Sequence, residues 1–168
     1  MSYPEKRKVM EILVGAAVLI AYCLYALEKY RSGAFAPDDY QVWAVAMLKF
    51  IALGIVVSIV AQILFHVGLS VGIAVKSKIK DGDCQGEEIE RSISAEMVED
   101  ERDKLISLKA RLVIFIFMAI GFVWSLVMLA FGYSPLVMMH ILFGAFSIGS
   151  LMEGFVQLYL YRRGVRHV

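Results

Sequence analysis

Proline and cysteine are scarce in this 168-residue chain, which has three prolines and two cysteines. Few prolines leave long stretches in which a helix is not interrupted. Cys23 lies in an apolar stretch and Cys84 in a polar one, so a disulfide between them is not expected. Neither cysteine has the spacing of a metal motif, and no metal ion or cofactor is expected.

Charged side chains are nearly absent from four windows, at about 12–27, 50–75, 112–133 and 135–161. A hydrophobic content of 60% and a mean hydropathy of +0.69 exclude an ordinary soluble domain. A bilayer core about 30 Å thick needs about 20 apolar helical residues. The sequence therefore predicts an all-α integral membrane four-helix bundle, a single domain with spans at about 9–27, 48–75, 111–133 and 135–161.

Catalytic motifs are missing as well. There is no nucleophile elbow, phosphate-binding glycine loop, paired-histidine zinc motif or cysteine pair. We therefore expect a protein that is not an enzyme. A formal net charge of +1 gives no indication of nucleic-acid binding.

The first apolar segment has two interpretations. Lys6, Arg7 and Lys8 resemble the basic start of a cleaved signal peptide, and Ala34-Phe35-Ala36 resembles a cleavage site. Four polar or charged residues, 28–31, separate that triplet from the apolar run, so a retained span is favoured.

Basic residues indicate the orientation of the spans. Fourteen of the 17 lysines and arginines lie at the two termini or in the 76–111 segment, and lysine and arginine concentrate in short cytoplasmic segments. The pattern predicts that both termini and the 76–110 connection are cytoplasmic. Aromatic residues near the predicted outer interface agree with this: Tyr30, Tyr40, Trp43 and Tyr133. His140 is expected close to the same interface.

The third and fourth spans are joined by a short segment with turn residues. Gly132, Ser134 and Pro135 predict a tight turn with proline in the first helical turn. The last two helices are therefore expected to be antiparallel neighbours.

The 76–110 connection predicts a helix from about Ser94 that continues into the third span, so that the third helix extends into the cytoplasm. It carries a dense acidic group: Glu96, Glu99, Asp100, Glu101 and Asp103. Calcium loops have a defined ligand spacing with a turn glycine, which is missing here. We expect a solvated helix face that is available to a protein partner.

A polar stripe lies in the second apolar segment. Its members follow at four-residue steps: Gly54, Ser58, Gln62, His66 and Ser70. Four residues advance an α-helix by about 400°, so these side chains form one continuous face.

The fourth segment repeats this spacing in Ala145, Gly149, Glu153, Gln157 and Tyr161. A charged carboxylate at the bilayer centre costs on the order of 3 kcal/mol, so Glu153 needs a partner or water. His66 lies about 15 Å from the level of Lys76, and Glu153 about 13.5 Å from that of Arg162. The count predicts that both are near mid-membrane.

We therefore expect His66 and Glu153 to face each other across a contact between the second and fourth helices. The intramembrane polar network would comprise Ser58, Gln62, His66, Ser70, Glu153 and Gln157. A structural clasp that fixes helix register is favoured over conduction, proton relay or ligand binding. Intramembrane catalysis is the least favoured reading.

Over about residues 99–164 the chain resembles small prokaryotic four-pass integral membrane proteins of unknown function. The resemblance is carried by the acidic run 100–103, Lys109, the Ser134-Pro135 turn and the ending 161–164. It implies a multi-pass protein of the plasma (inner) membrane and brings no activity with it.

Two functions follow as hypotheses. The favoured one is a scaffold, subunit or regulator that acts through helix packing and its acidic cytoplasmic helix. Its expected partners are the lipid bilayer, a second copy of the chain, or another membrane or cytoplasmic protein. The alternative is an oligomeric channel or proton-coupled carrier that uses His66 and Glu153.

Overall fold

The computed structural model describes residues 3–80 and 101–163, with side chains described at 5–68, 71 and 101–163. These residues form four helices: α1 (Tyr3–Arg31), α2 (Tyr40–Lys80), α3 (Glu101–Ala130) and α4 (Pro135–Arg163). All four are long and apolar enough to cross a membrane, which confirms the predicted all-α class. We call the end with Tyr3 and Arg163 the termini end, and the end with the connections 32–39 and 131–134 the turn end.

The turn between α3 and α4 has the predicted form. Gly132 has φ +82°, a conformation that strains residues with a Cβ. The hydroxyl of Ser134 accepts a hydrogen bond of 3.2 Å from the backbone N–H of Leu136, and Pro135 is the first residue of α4. These features end one helix and begin the next.

Small residues bring α3 and α4 into close contact along their length. A Cβ placed on Gly121 would overlap the Cβ of Ala145. A Cβ on Gly149 would lie 3.0 Å from that of Phe117. These pairs run in opposite directions along the two helices, so the predicted antiparallel arrangement is confirmed.

The other contacts place the helices in an open row rather than a closed square. α1 packs on both α2 and α4, whereas α2 touches α4 over a much shorter stretch. The α2–α4 contact includes Trp43 and His140 at the turn end, with ring centroids 5.3 Å apart. The main neighbour of α2 is therefore α1, and the expected contact between α2 and α4 is formed only as this short contact.

An aromatic cluster forms a buried core at the turn end. Trp43 is only 2% exposed, so it packs inside the protein, and its expected level near the outer interface stays a prediction. Its indole N–H donates to the carbonyl of Ala36 at 3.1 Å, and its ring packs edge-on against Phe35. The hydrogen bond satisfies the indole N–H inside the protein.

His140 belongs to the same cluster. Its Nδ1 lies 2.9 Å from the carbonyl oxygen of Leu136, and its Nε2 lies 3.1 Å from the hydroxyl of Tyr22. A carbonyl only accepts, so Nδ1 donates to Leu136; in the tautomer with its single proton on Nδ1, Nε2 accepts from the Tyr22 hydroxyl. The histidine thus links α1 to α4.

This link can be tested with Tyr22→Phe, His140→Phe and the double variant. We expect each single change to lower the free energy of unfolding by about 1 kcal/mol through the lost hydrogen bond. The double change should be less destabilising than the sum, because both variants break the same bond. Thermal unfolding in detergent measures all three, and strictly additive losses would contradict the link.

Candidate functional site

The polar stripe of α2 lies along one edge of the helix. Gly54, Ser58, Gln62 and His66 are half-buried. The large apolar side chains around them are exposed, as illustrated by Ile59, Ile63 and Leu64. The side chain of Ser70 lies outside the described set. Within that set, Ser58 and Gln62 have no hydrogen-bond partner.

An open groove follows the turn-end half of this stripe. It has a volume of about 420 Å³ and is formed by α1, α2 and α4. Its walls are mainly apolar, and its small or polar members are Gly15, Gly54, Ser58, Ser147 and Ser150. The hydroxyl of Ser147, on α4, donates to the carbonyl of Phe143 at 2.8 Å. Ser58 is the serine that α2 contributes to the groove.

Glu153 and Gln157 of the predicted network lie elsewhere. They line a polar cavity of about 100 Å³ with residues from α1 and α3: Arg7, Lys8, Ser107, Arg111 and Tyr161. Glu153 also borders a smaller cavity of mixed polar and apolar lining against α1. The described residues of α2 contribute to neither cavity.

Gln157 is the most buried polar side chain of this cavity, at 2% exposed. Its Nε2 donates a hydrogen bond of 2.6 Å to the hydroxyl of Ser107 on α3. Among the residues that the structure describes, its Oε1 has no partner. A buried acceptor without a donor is costly, and such positions usually hold water or a ligand.

Charged groups surround this cavity. Glu11 binds Arg7 at 3.0 Å and Lys8 at 2.6 Å. Arg111 and Glu153 add one charge of each sign to the walls, and within the described set neither makes an ion pair. The walls therefore carry three cations and one carboxylate, and Glu11, which binds Arg7 and Lys8 from outside the walls, adds a second carboxylate.

The register of α1 on α4 gives the level of Glu153. A Cβ on Gly154 would lie 2.7 Å from Ile12, and one on Gly15 would lie 3.2 Å from Leu151. In this antiparallel pair, Glu153 is therefore level with Leu13.

The register of α2 on α1 gives the level of His66 relative to Glu153. A Cβ on Gly54 would lie 3.4 Å from Val18. Counting along both helices then places Ile59 at the level of Leu13, and hence of Glu153. His66 lies about seven residues, or roughly 10 Å, nearer the termini end. The structure does not bring His66 and Glu153 together.

The prediction that His66 and Glu153 lie at one level is wrong because the residues from which the two levels were counted lie at different depths. The count treated Lys76 and Arg162 as lying at one depth, but α2 continues to Lys80. By the same register, Arg162 is level with a residue about eight positions before Lys76. Whether the six network residues act in function stays a prediction, and the structure divides them into an α2 group and an α4 group.

The acidic group is described only in part. Glu96, Glu99 and Asp100 lie outside the described residues. Glu101 is exposed and Asp103 half-buried in the first turn of α3, where acidic side chains favour the helix start. Within the ranges 3–80 and 101–163, no cluster of His, Cys, Asp or Glu could hold a metal ion.

The sequence does not by itself identify the basic side of the α4 site. Lys8 and Arg111 indicate only orientation, and nothing in the pattern marks Ser107. Lys8 and Arg111 each come directly before an apolar run, and this shared position was the available signal that they lie at one level.

No protein-family model matches the chain, and comparisons with curated proteins and with solved structures found no similar protein. The resemblance to four-pass membrane proteins of unknown function stays a prediction.

Proposed function

We propose that this protein is a non-enzymatic membrane scaffold, subunit or regulator that works through helix packing, with a second copy of itself as the first partner. The observation that supports this proposal is the unsatisfied polar edge of α2. Gln62 is half-buried without a hydrogen-bond partner among the described residues. In lipid, such an amide gains by bonding to another helix.

The chemistry of the edge favours a second copy as its partner. An amide has both donors and an acceptor, so two Gln62 side chains related by a twofold axis satisfy each other. Gly54 and Ser58 on the same edge are small, which allows two helix backbones to approach closely. The adjoining groove of about 420 Å³ offers room for the side chains of the incoming helix.

The proposal also includes an orientation and a second contact surface. The charge distribution supports cytoplasmic termini in a plasma membrane. The acidic residues that begin α3, with Glu101 and Asp103 among them, would then face the cytoplasm and a soluble partner. A channel or proton-coupled carrier remains the second hypothesis, and the 10 Å offset of His66 from Glu153 disfavours its required pair.

Replacing Gln62 by leucine tests the scaffold proposal. The variant should self-associate about 3- to 20-fold more weakly, the range expected for one interhelical hydrogen bond in a membrane. The measurement is energy transfer between donor- and acceptor-labelled copies in lipid bilayers over a range of protein-to-lipid ratios.

Gln41→Leu is the matched control, because Gln41 is an exposed glutamine on the same helix at the turn end. It should associate as the unmodified protein does. Absence of energy transfer in the unmodified protein, or equal association of Gln62→Leu and Gln41→Leu, would contradict self-association through this edge.

A further inference from the structure

We propose that the cavity between α1, α3 and α4 binds a phosphodiester that carries a hydrogen-bond donor next to its phosphate, as ethanolamine and glycerol headgroups do. We call it the headgroup cavity; its walls are Arg7, Lys8, Ser107, Arg111, Glu153, Gln157 and Tyr161. This inference is independent of self-association, since binding is measured on monomer and dimer alike.

The charge of the headgroup cavity selects an anion of low charge. Three cations, of which Arg7 and Lys8 are bound to Glu11, face two carboxylates. One positive charge is left in excess, and a phosphodiester has one negative charge. The guanidinium of Arg111 presents a planar set of donors that matches two phosphate oxygens.

The acceptor groups of the cavity indicate which chemical group of the ligand lies next to the phosphate. Gln157 Oε1 is buried and has no donor among the described residues, and the carboxylate form of Glu153 only accepts. Both oxygens therefore need an N–H or O–H donor from the ligand. The hydroxyl of Ser107 accepts from Gln157, so its own proton remains available to a phosphate oxygen.

The position of the cavity agrees with a lipid source. Lys8 and Arg111 stand where the apolar runs of α1 and α3 begin, which is the level of lipid phosphates. Basic pockets between membrane helices bind such headgroups. A volume of about 100 Å³ is equal to that of about three liquid waters, enough for a phosphate group.

The test compares lipids that differ only in headgroup. Full-length protein in detergent is titrated with phosphatidylethanolamine, phosphatidylglycerol or phosphatidylcholine of identical acyl chains, and binding is read by native mass spectrometry and thermal stability. We expect the first two to bind about tenfold more tightly than phosphatidylcholine, whose choline has no N–H or O–H donor.

Arg111→Gln should lose about tenfold in affinity for the two preferred lipids. Lys109→Gln is the matched control, since Lys109 is exposed on the same helix and lies outside the cavity walls. Gln157→Met should reduce the difference in affinity between phosphatidylethanolamine and phosphatidylcholine. Its unfolding temperature shows whether the variant folds.

A second titration uses glycerophosphoethanolamine, which is the headgroup without acyl chains, and inorganic phosphate. Binding of the lipid alone assigns the site to membrane lipids, and binding of the soluble diester assigns it to a soluble phosphate compound; both support the phosphodiester chemistry. Equal binding of ethanolamine and choline lipids, unchanged binding by Arg111→Gln, or binding of none of the probes would overturn the proposal.

Discussion

Replacing Trp43 by alanine is expected to lower the free energy of unfolding by about 3–5 kcal/mol, the range for removing a buried tryptophan. The indole is 2% exposed and joins the connection before α2 to the ring of His140 on α4. Its loss therefore empties the centre of the aromatic cluster. Denaturant unfolding in detergent micelles measures the change.

Trp124 is the matched control for this experiment. It is the other tryptophan of the chain and is 54% exposed on α3. Trp124→Ala should change stability by no more than about 0.5 kcal/mol. Comparable losses for both variants would show that the cluster is not the main core of the fold.

Replacing Gly121 by alanine is expected to destabilise the α3–α4 pair by about 1–3 kcal/mol, the usual result of overpacking. The added methyl group would overlap the Cβ of Ala145. That atom is fixed to the backbone and cannot rotate away, so the two helices must move apart. Thermal unfolding of the purified variant measures the loss.

Gly144→Ala is the control, because a Cβ at Gly144 meets nothing within 4 Å. It should be neutral or stabilise by up to about 1 kcal/mol, as alanine restricts the unfolded chain and favours helix. Adding Ala145→Gly to Gly121→Ala should restore part of the stability. Failure of this rescue would mean that the α3–α4 seam is looser than described.

The elements of the fold were predictable because the bilayer restricts the choices. An apolar run of about 20 residues in lipid must satisfy its backbone hydrogen bonds internally, and a helix does so. The turn between α3 and α4 was equally predictable, since Gly132 and Pro135 act locally. The helical spans and the turn both depend on the local sequence alone.

The faces that meet were less predictable for a physical reason. Soluble helices have an apolar face that marks the core, but these helices are apolar on every side, and side chains such as Phe115 and Ile120 are exposed. A four-residue stripe therefore locates an edge of α2 without identifying the helix opposite it.

The two halves of the predicted network illustrate this limit. The sequence singled out Glu153 and Gln157 as unusual, and the structure makes Gln157 the most buried polar group of a cavity. Their surroundings, however, depend on the relative heights of three helices. Heights counted from the charged ends failed because α2 and α4 continue past the apolar region by different lengths.

The open row of helices gives α1 a special place in the order of assembly. The α3–α4 hairpin has its own seam, and α2 joins it mainly through α1. The last hairpin can therefore form early and then serve as the template on which the first hairpin docks, in keeping with cooperative units of unequal stability. Damage to α1 would loosen both α2 and α4, whereas damage to α2 would leave the contact between α1 and α4 in place.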